Sequence, residues 1–219
     1  MDLREALYTT RAMRRMKPDP IPLAVQARIL DAAVRAPTGG NFQSWRFLFV
    51  DAPELRTRIA PIYRACLSWL WETVYAERIA AAKAAPGSPE SRGLLRMIRS
   101  ADHLADHFAE VPLLLFGFAG MGDTSGGSIF PAIWSAMLAA RAEGVGSVLT
   151  QVFGMYRGDE VNRLLGVPEG QGWHCACCVP MGYPTGRWGV APRRPAHEVA
   201  HRNGWGRAVG FEVPQPLWP

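Results

Sequence analysis

Arg11 and Arg14, three residues apart in the segment TTRAMRRM, are the side chains best suited to grip an anion, with the Thr10 hydroxyl beside them. In a turn or an incipient helix that spacing lets both converge on one ligand, and the planar donor fork of a guanidinium matches phosphate oxygens. A solvated basic face at a helix end would look the same, so the pair alone leaves both readings open. A second polar set lies in APTGGNFQSWRF, where Thr38, Asn41 and Gln43 occupy a glycine-softened loop just before Trp45 and Phe47, aromatics expected to anchor a core strand. Amides drawn against a core need hydrogen-bond partners, which makes a polar planar ligand attractive there. Arg187, Arg193 and Arg194 form another basic cluster near the C-terminus.

Motifs for other chemistries are missing. No G-x-G-x-x-G turn follows a first strand, and Gly144-Val145-Gly146 lacks a third glycine. The loop GDTSGG lacks the lysine of a triphosphate-binding loop, and there is no G-x-S-x-G elbow, no H-E-x-x-H and no carboxylate pair placed for acid–base work. No side chain stands out as a catalytic acid or base, so a cofactor is expected to carry the chemistry. His174-Cys175-Ala176-Cys177-Cys178 invites a metal reading, but residues in an extended segment alternate faces and no second ligand pair exists elsewhere. Small apolar side chains lining a central strand are the expectation, with no metal.

Taken together, four ordered motifs resemble the nitroreductase family of FMN enzymes. The family's R-R-S-V-R-x-F pattern appears as Thr10 to Met16, with Thr10 for the first Arg and Met16 for the aromatic. Its A-P-S-x-x-N-x-Q-P-W-x-F loop appears as Ala36 to Phe47, with Ser44 for the proline. SIFPAIWSAMLAARAEGVGS is similar to its central helix and glycine turn, and VPMGYPTGRWGVAPRRP to its closing strand, G-Y-P turn and C-terminal Arg. The likeness covers most of the chain outside Cys66 to Phe108.

The resemblance implies an α+β fold with a mixed sheet flanked by helices, in which two chains intertwine as a homodimer and FMN lies at the interface. By carry-over, Arg11 and Arg193 or Arg194 would hold the phosphate, with Ala12 in the same cradle. Arg14 would sit by the N1/O2 edge of the flavin, where a fixed cation stabilises the reduced ring. Thr38, Asn41 and Gln43 would reach the flavin of the other subunit, and the main chain of Leu149, Thr150 and Gln151 would face N5. NADH or NADPH would donate transiently in the cleft that later takes a small aromatic or quinone-like acceptor, giving ping-pong turnover. Relatives that cleave flavin to make dimethylbenzimidazole carry an Asp where this chain has Ala12, which argues against that activity. A non-catalytic flavin or deazaflavin carrier of the same fold is the alternative.

These residues require elements to hold them. Asp2 and Glu5 suit a capped helix through Tyr8, Pro18 and Pro20 enforce an extended stretch, and Pro22 opens a second helix that Pro37 ends. WRFLFV, PLLLFGFAG, SVLTQV and HCACCVPMG are expected strands. Helices are expected over Pro53 to Ala85, bent at Pro61, over about Ser91 to Phe108, through SIFPAIWSAMLAARAEG, and around Glu160 to Leu165. The helices over about 66–108 look like an insertion or cap, and Trp69, Trp71 and Tyr75 could stack on an aromatic acceptor.

At 219 residues and 48% apolar composition, the chain has the size of a single domain over 1–219. Its charge of +5 and pI near 9.3 suit an anionic partner. Small scattered clusters fit a compact phosphate better than a nucleic-acid duplex. The first residues lack a secretory pattern, and the longest apolar run, Val111 to Met121, is too short for a membrane helix. A cytoplasmic location with reduced cysteines is the expectation.

Overall fold

The run LLLFGFA is buried at every position, without the in–out alternation of a strand with one wet face. Such a strand must be covered on both sides. The computed structural model, which describes residues 1–123 and 125–217, shows this arrangement. Thr124 of the loop GMGDTSGG and the final residues Trp218 and Pro219 lie outside the described residues.

Two compact units are present, one of residues 12–186 and one of residues 1–11 with 187–219. The larger unit contains a four-stranded sheet built from β1 (Trp45–Val50), β2 (Leu113–Ala119), β3 (Gly146–Ser147) and β4 (His174–Gly182), in the order β1-β2-β4-β3. All three strand pairs are antiparallel, and the parallel component is the bridge between Ala12 and Ser147. Trp45 faces Ala119, Leu113 faces Met181 and Gly146 faces Gly182.

One face of the sheet is covered by α2 (Leu23–Ala33) and α6 (Ile129–Ala142), where Ile29, Ala33, Ile133 and Ala136 are completely buried against Leu115, Cys177 and Val179. Gly117 makes this packing close: a Cβ there would lie 3.0 Å from the Ile133 side chain. Asp123 holds the start of α6, its two carboxylate oxygens accepting from the N–H groups of Ser128 and Ile129 at 3.0 and 2.8 Å. This satisfies donors that the helix itself leaves orphaned. On the other face, α3 (Pro53–Glu72) and α5 (Pro89–Asp106) pack with α7 (Val152–Tyr156) and α8 (Gly158–Leu164) around Tyr63, Phe108, Phe116 and Phe153. The smaller unit contains α1 (Leu3–Thr9), capped by Asp2 accepting from the Glu5 N–H, and a tail with a 3₁₀ turn at Ala196–Glu198.

Two expectations are corrected. SVLTQV is not a continuous strand: only Gly146–Ser147 pairs as β3, Thr150 adds an isolated bridge to Cys178, and Val152 already begins α7. Alternating β-branched residues favour a strand, but burying Val152 and Phe153 in the core as a helical turn outweighs that preference. The long helix expected from Pro53 to Ala85 breaks around Thr73–Tyr75, leaving α3 and a separate α4 (Ala76–Ala84). Pro61 lies inside α3, and Cys66 continues the same helix into the core.

Within β4 the face alternation slips by one residue at a bulge, where Gly117 pairs with Cys177 and Phe118 with Cys175. Ala176 is the extra residue, so Cys175 and Cys178 point to one core while Cys177 points to the other. Burial pushes the thiols up, Cys66 to about 11 and Cys175 and Cys177 to about 12, with Cys178 also raised. All four are free. A disulfide-exchange reagent should therefore leave them unmodified in the native protein at mildly alkaline pH and modify all four after denaturation; rapid native labelling of Cys175 or Cys177 would contradict this packing.

Candidate active site

The segment after α1 is extended and fastened on both sides. Met13 N–H donates to Ser147 at 3.0 Å, Lys17 N–H to Tyr183 at 2.8 Å, and Arg15 C=O accepts from Thr185 N–H at 3.1 Å. Met13 is buried, which fixes the direction of the neighbouring side chains. Arg14 is consequently drawn half into the protein, and its guanidinium has no hydrogen bond or ion pair among the described residues. Loss of hydration lowers its pKa, an effect that nearby Tyr63 partly opposes.

Tyr63 is the neighbour that sequence reasoning missed. It projects from α3 on the same buried stripe as Ile59 and Cys66, and its ring stacks on Phe108 at 4.2 Å. Burial pushes its hydroxyl up to about 12, against the opposing effects of the Arg14 charge and the Thr150 side chain. Thus Arg14, Tyr63 and Thr150 meet at one place although they come from three separate segments. A tyrosine on an apolar helical stripe resembles ordinary core, and no sequence signal marks it.

In the segment Leu149–Gln151, the Thr150 backbone N–H donates to Cys178 at 2.9 Å. The N–H groups of Leu149 and Gln151 make no hydrogen bond among the described residues, so they are the ones left to face a ligand. Gln151 is the residue preceding α7 and is exposed.

Thr38, Asn41 and Gln43 do come together. The Gln43 N–H donates to the Thr38 hydroxyl at 3.2 Å, and the Gln43 side-chain amide to the Asn41 side-chain oxygen at 3.2 Å. Gly40, Asn41 and Gln43 all have positive φ, at 55°, 56° and 50°. Two non-glycine residues in the left-handed region within three positions store local strain. The loop is exposed, with Phe42 82% accessible.

Among the expected cap residues, Trp71 is committed to the helical layer, its indole N–H donating to Asp102 of α5 at 2.9 Å and its ring meeting Tyr75 edge-on at 5.3 Å. Trp69 is 47% exposed and packs on Tyr156 at 4.2 Å. The two tryptophans therefore serve different contacts. Arg15 turns away from Arg14 and meets His103 of α5 at 3.3 Å. Arg11, Arg193 and Arg194 belong to the smaller unit and are exposed, with Arg193 donating to the Pro192 carbonyl at 2.9 Å. Ala12 bridges to Ser147 through its backbone and offers no functional side chain.

A pH dependence follows from Tyr63. An unfolded phenol ionises near ~10, whereas the folded one holds its proton to about 12. Its contribution to stability is complete below the lower value and is lost as pH rises through the upper one. Absorbance titration should show a late-ionising tyrosine that Tyr63→Phe removes; a single wave for all tyrosines near the ordinary value would contradict the burial.

Comparisons with known proteins agree on one lineage. The chain is 30% identical over 206 residues to the 5,6-dimethylbenzimidazole synthase of Rhodobacter capsulatus, an alignment covering 93% of this chain and 90% of that one. An iodotyrosine deiodinase solved with FMN and 3-iodo-L-tyrosine superposes with a TM-score of 0.72 at 24% identity, over 93% of this chain and 99% of its own. The FMN and NADPH-dependent nitroreductase NfnB of a Sphigopyxis strain superposes at 0.67 with 22% identity, over 94% of this chain and 100% of its own. The model of the Nitroreductase family matches residues 7–183, and with the α+β architecture and the fastened N-terminal segment it establishes that this chain is a member of the nitroreductase family.

Proposed function

We propose that the chain is an FMN-dependent oxidoreductase that acts as a homodimer and passes reducing equivalents from NADH or NADPH to a small aromatic or quinone-like acceptor. When bound, the flavin supplies the hydride chemistry in two half-reactions. The observation that carries this reading is Arg14, a half-buried guanidinium without an acidic partner among the described residues. Desolvating a cation is unfavourable unless something compensates it, and the negative N1/O2 edge of a reduced flavin is a suitable counter-charge.

The chain's own groups then take distinct roles. Arg14 holds positive charge where the ring becomes negative, and Tyr63, kept protonated by burial, sits beside it with Thr150. The N–H groups of Leu149 and Gln151 are available to orient the ring edge without supplying a titratable proton. The Thr38–Gln43 loop, strained and exposed in one chain, is suited to serve the flavin of the other subunit. Arg11 with Arg193 or Arg194 would hold the phosphate, and Trp69, with Trp71 and Tyr75 behind it, would border the acceptor. Free buried thiols suit a reducing compartment such as the cytoplasm. The NADPH dependence of NfnB supports a nicotinamide donor.

A second reading, cleavage of flavin, is favoured by the 30% identity to a dimethylbenzimidazole synthase. Ala12 opposes it, because no carboxylate occupies the position where the resemblance places an Asp.

Anaerobic NADH or NADPH should bleach the flavin-loaded protein, and a quinone or nitroarene should restore the colour. No bleaching with either nicotinamide would overturn the proposal and favour a carrier. Arg14→Ala should leave a folded dimer but lower the flavin potential and slow reduction by about tenfold or more; an unchanged potential in a redox titration would contradict the assigned role. Sedimentation at high dilution should find no monomer that retains FMN.

A further inference from the structure

Beyond the flavin reading, we infer that a cleft between α3 and α8 is a second ligand site, for an organic phosphate. The cleft has a volume of about 920 Å³, a size typical of small-molecule sites. Arg58 enters from α3, Arg157 from the α7–α8 junction and Arg163 from α8. One carboxylate accompanies them, Glu160, and it is already paired with Arg157 at 3.1 Å.

The other two guanidinium groups have no acidic partner among the described residues. Arg58 makes no ion pair, and Arg163 donates only to the Asp159 carbonyl at 3.3 Å. Three cations facing one acid leave an excess that suits a dianion better than a single carboxylate, and guanidinium forks match phosphoryl oxygens in geometry. The floor between them is apolar, formed by Pro61, Ile62 and Leu164. Pro61 also lacks an N–H, so the Thr57 carbonyl loses its helical donor on this side of α3. A charged rim over an apolar floor fits a phosphate joined to an aromatic or aliphatic body, and inorganic phosphate would use only the rim.

This cleft is not the Arg14 site. Arg58, Pro61 and Ala65 form the exposed edge of α3. Tyr63 lies two residues beyond Pro61, about 200° round the helix, and faces the core toward Arg14. A ligand in the cleft would therefore contact the outer face of the helix whose inner face carries Tyr63.

Phenyl phosphate, inorganic phosphate and phenol are the probes for calorimetric titration of the protein loaded with FMN and freed of excess flavin. Phenyl phosphate should bind once per chain, at least ~10-fold tighter than inorganic phosphate, and more weakly as salt is raised. The double variant Arg58→Gln/Arg163→Gln should weaken it ~10-fold or more while melting temperature and flavin content stay unchanged. Arg14→Ala should leave this binding intact. Absence of saturable heat with phenyl phosphate, or equal affinity in the double variant, would overturn the inference.

Discussion

A guanidinium that is half removed from water and given no acid must be compensated by something outside the chain, or it must be held there by force. Arg14 is held by the second means, and the resulting demand for the first organises the site. The main chain on either side of it is tied to Ser147, Tyr183 and Thr185, which fixes the direction in which the side chain leaves the backbone. Removing one partner of a buried charge costs several kcal/mol in ordinary proteins. A half-buried guanidinium with no acid among the described residues favours an anionic ligand.

That arrangement depends on the sheet. Ser147 is fixed by β3 pairing with β4, and Thr150 by its reciprocal hydrogen bonds with Cys178 at 2.8 and 2.9 Å. β4 in turn is centred between β2 and β3 and buried on both faces, with the bulge at Ala176 setting which face each cysteine meets. α3 brings Tyr63 to the same point because Phe108 and Phe153 pack against it. Arg14, Tyr63 and Thr150 are thus held by rigid elements.

Much of this was legible in the sequence where one physical signal dominated. WRFLFV and HCACCVPMG are strands with the expected bounds, since short apolar runs between turn residues have few alternatives. Asp2 and Gly144 marked helix ends through capping and positive φ. SVLTQV misled because β-branched spacing competes with tertiary burial, which one chain read in isolation does not display. Arg14 and the Thr38–Gln43 loop drew notice through residue type and spacing and through the motif resemblance; Tyr63 was invisible because a phenol on an apolar stripe looks like packing. The Asp123 cap was missed for a related reason: its acceptors close on Ser128 and Ile129 across a glycine-rich loop, a geometry that composition does not reveal.

If the half-buried charge of Arg14 exists for a flavin, the protein must bind one. The most direct test is to purify the protein, release any chromophore by heat and identify it by mass and spectrum, reconstituting first with FMN if the preparation is colourless. FMN at one per chain is the expected result. A deazaflavin in its place, or a protein that retains no flavin even after reconstitution, would contradict it.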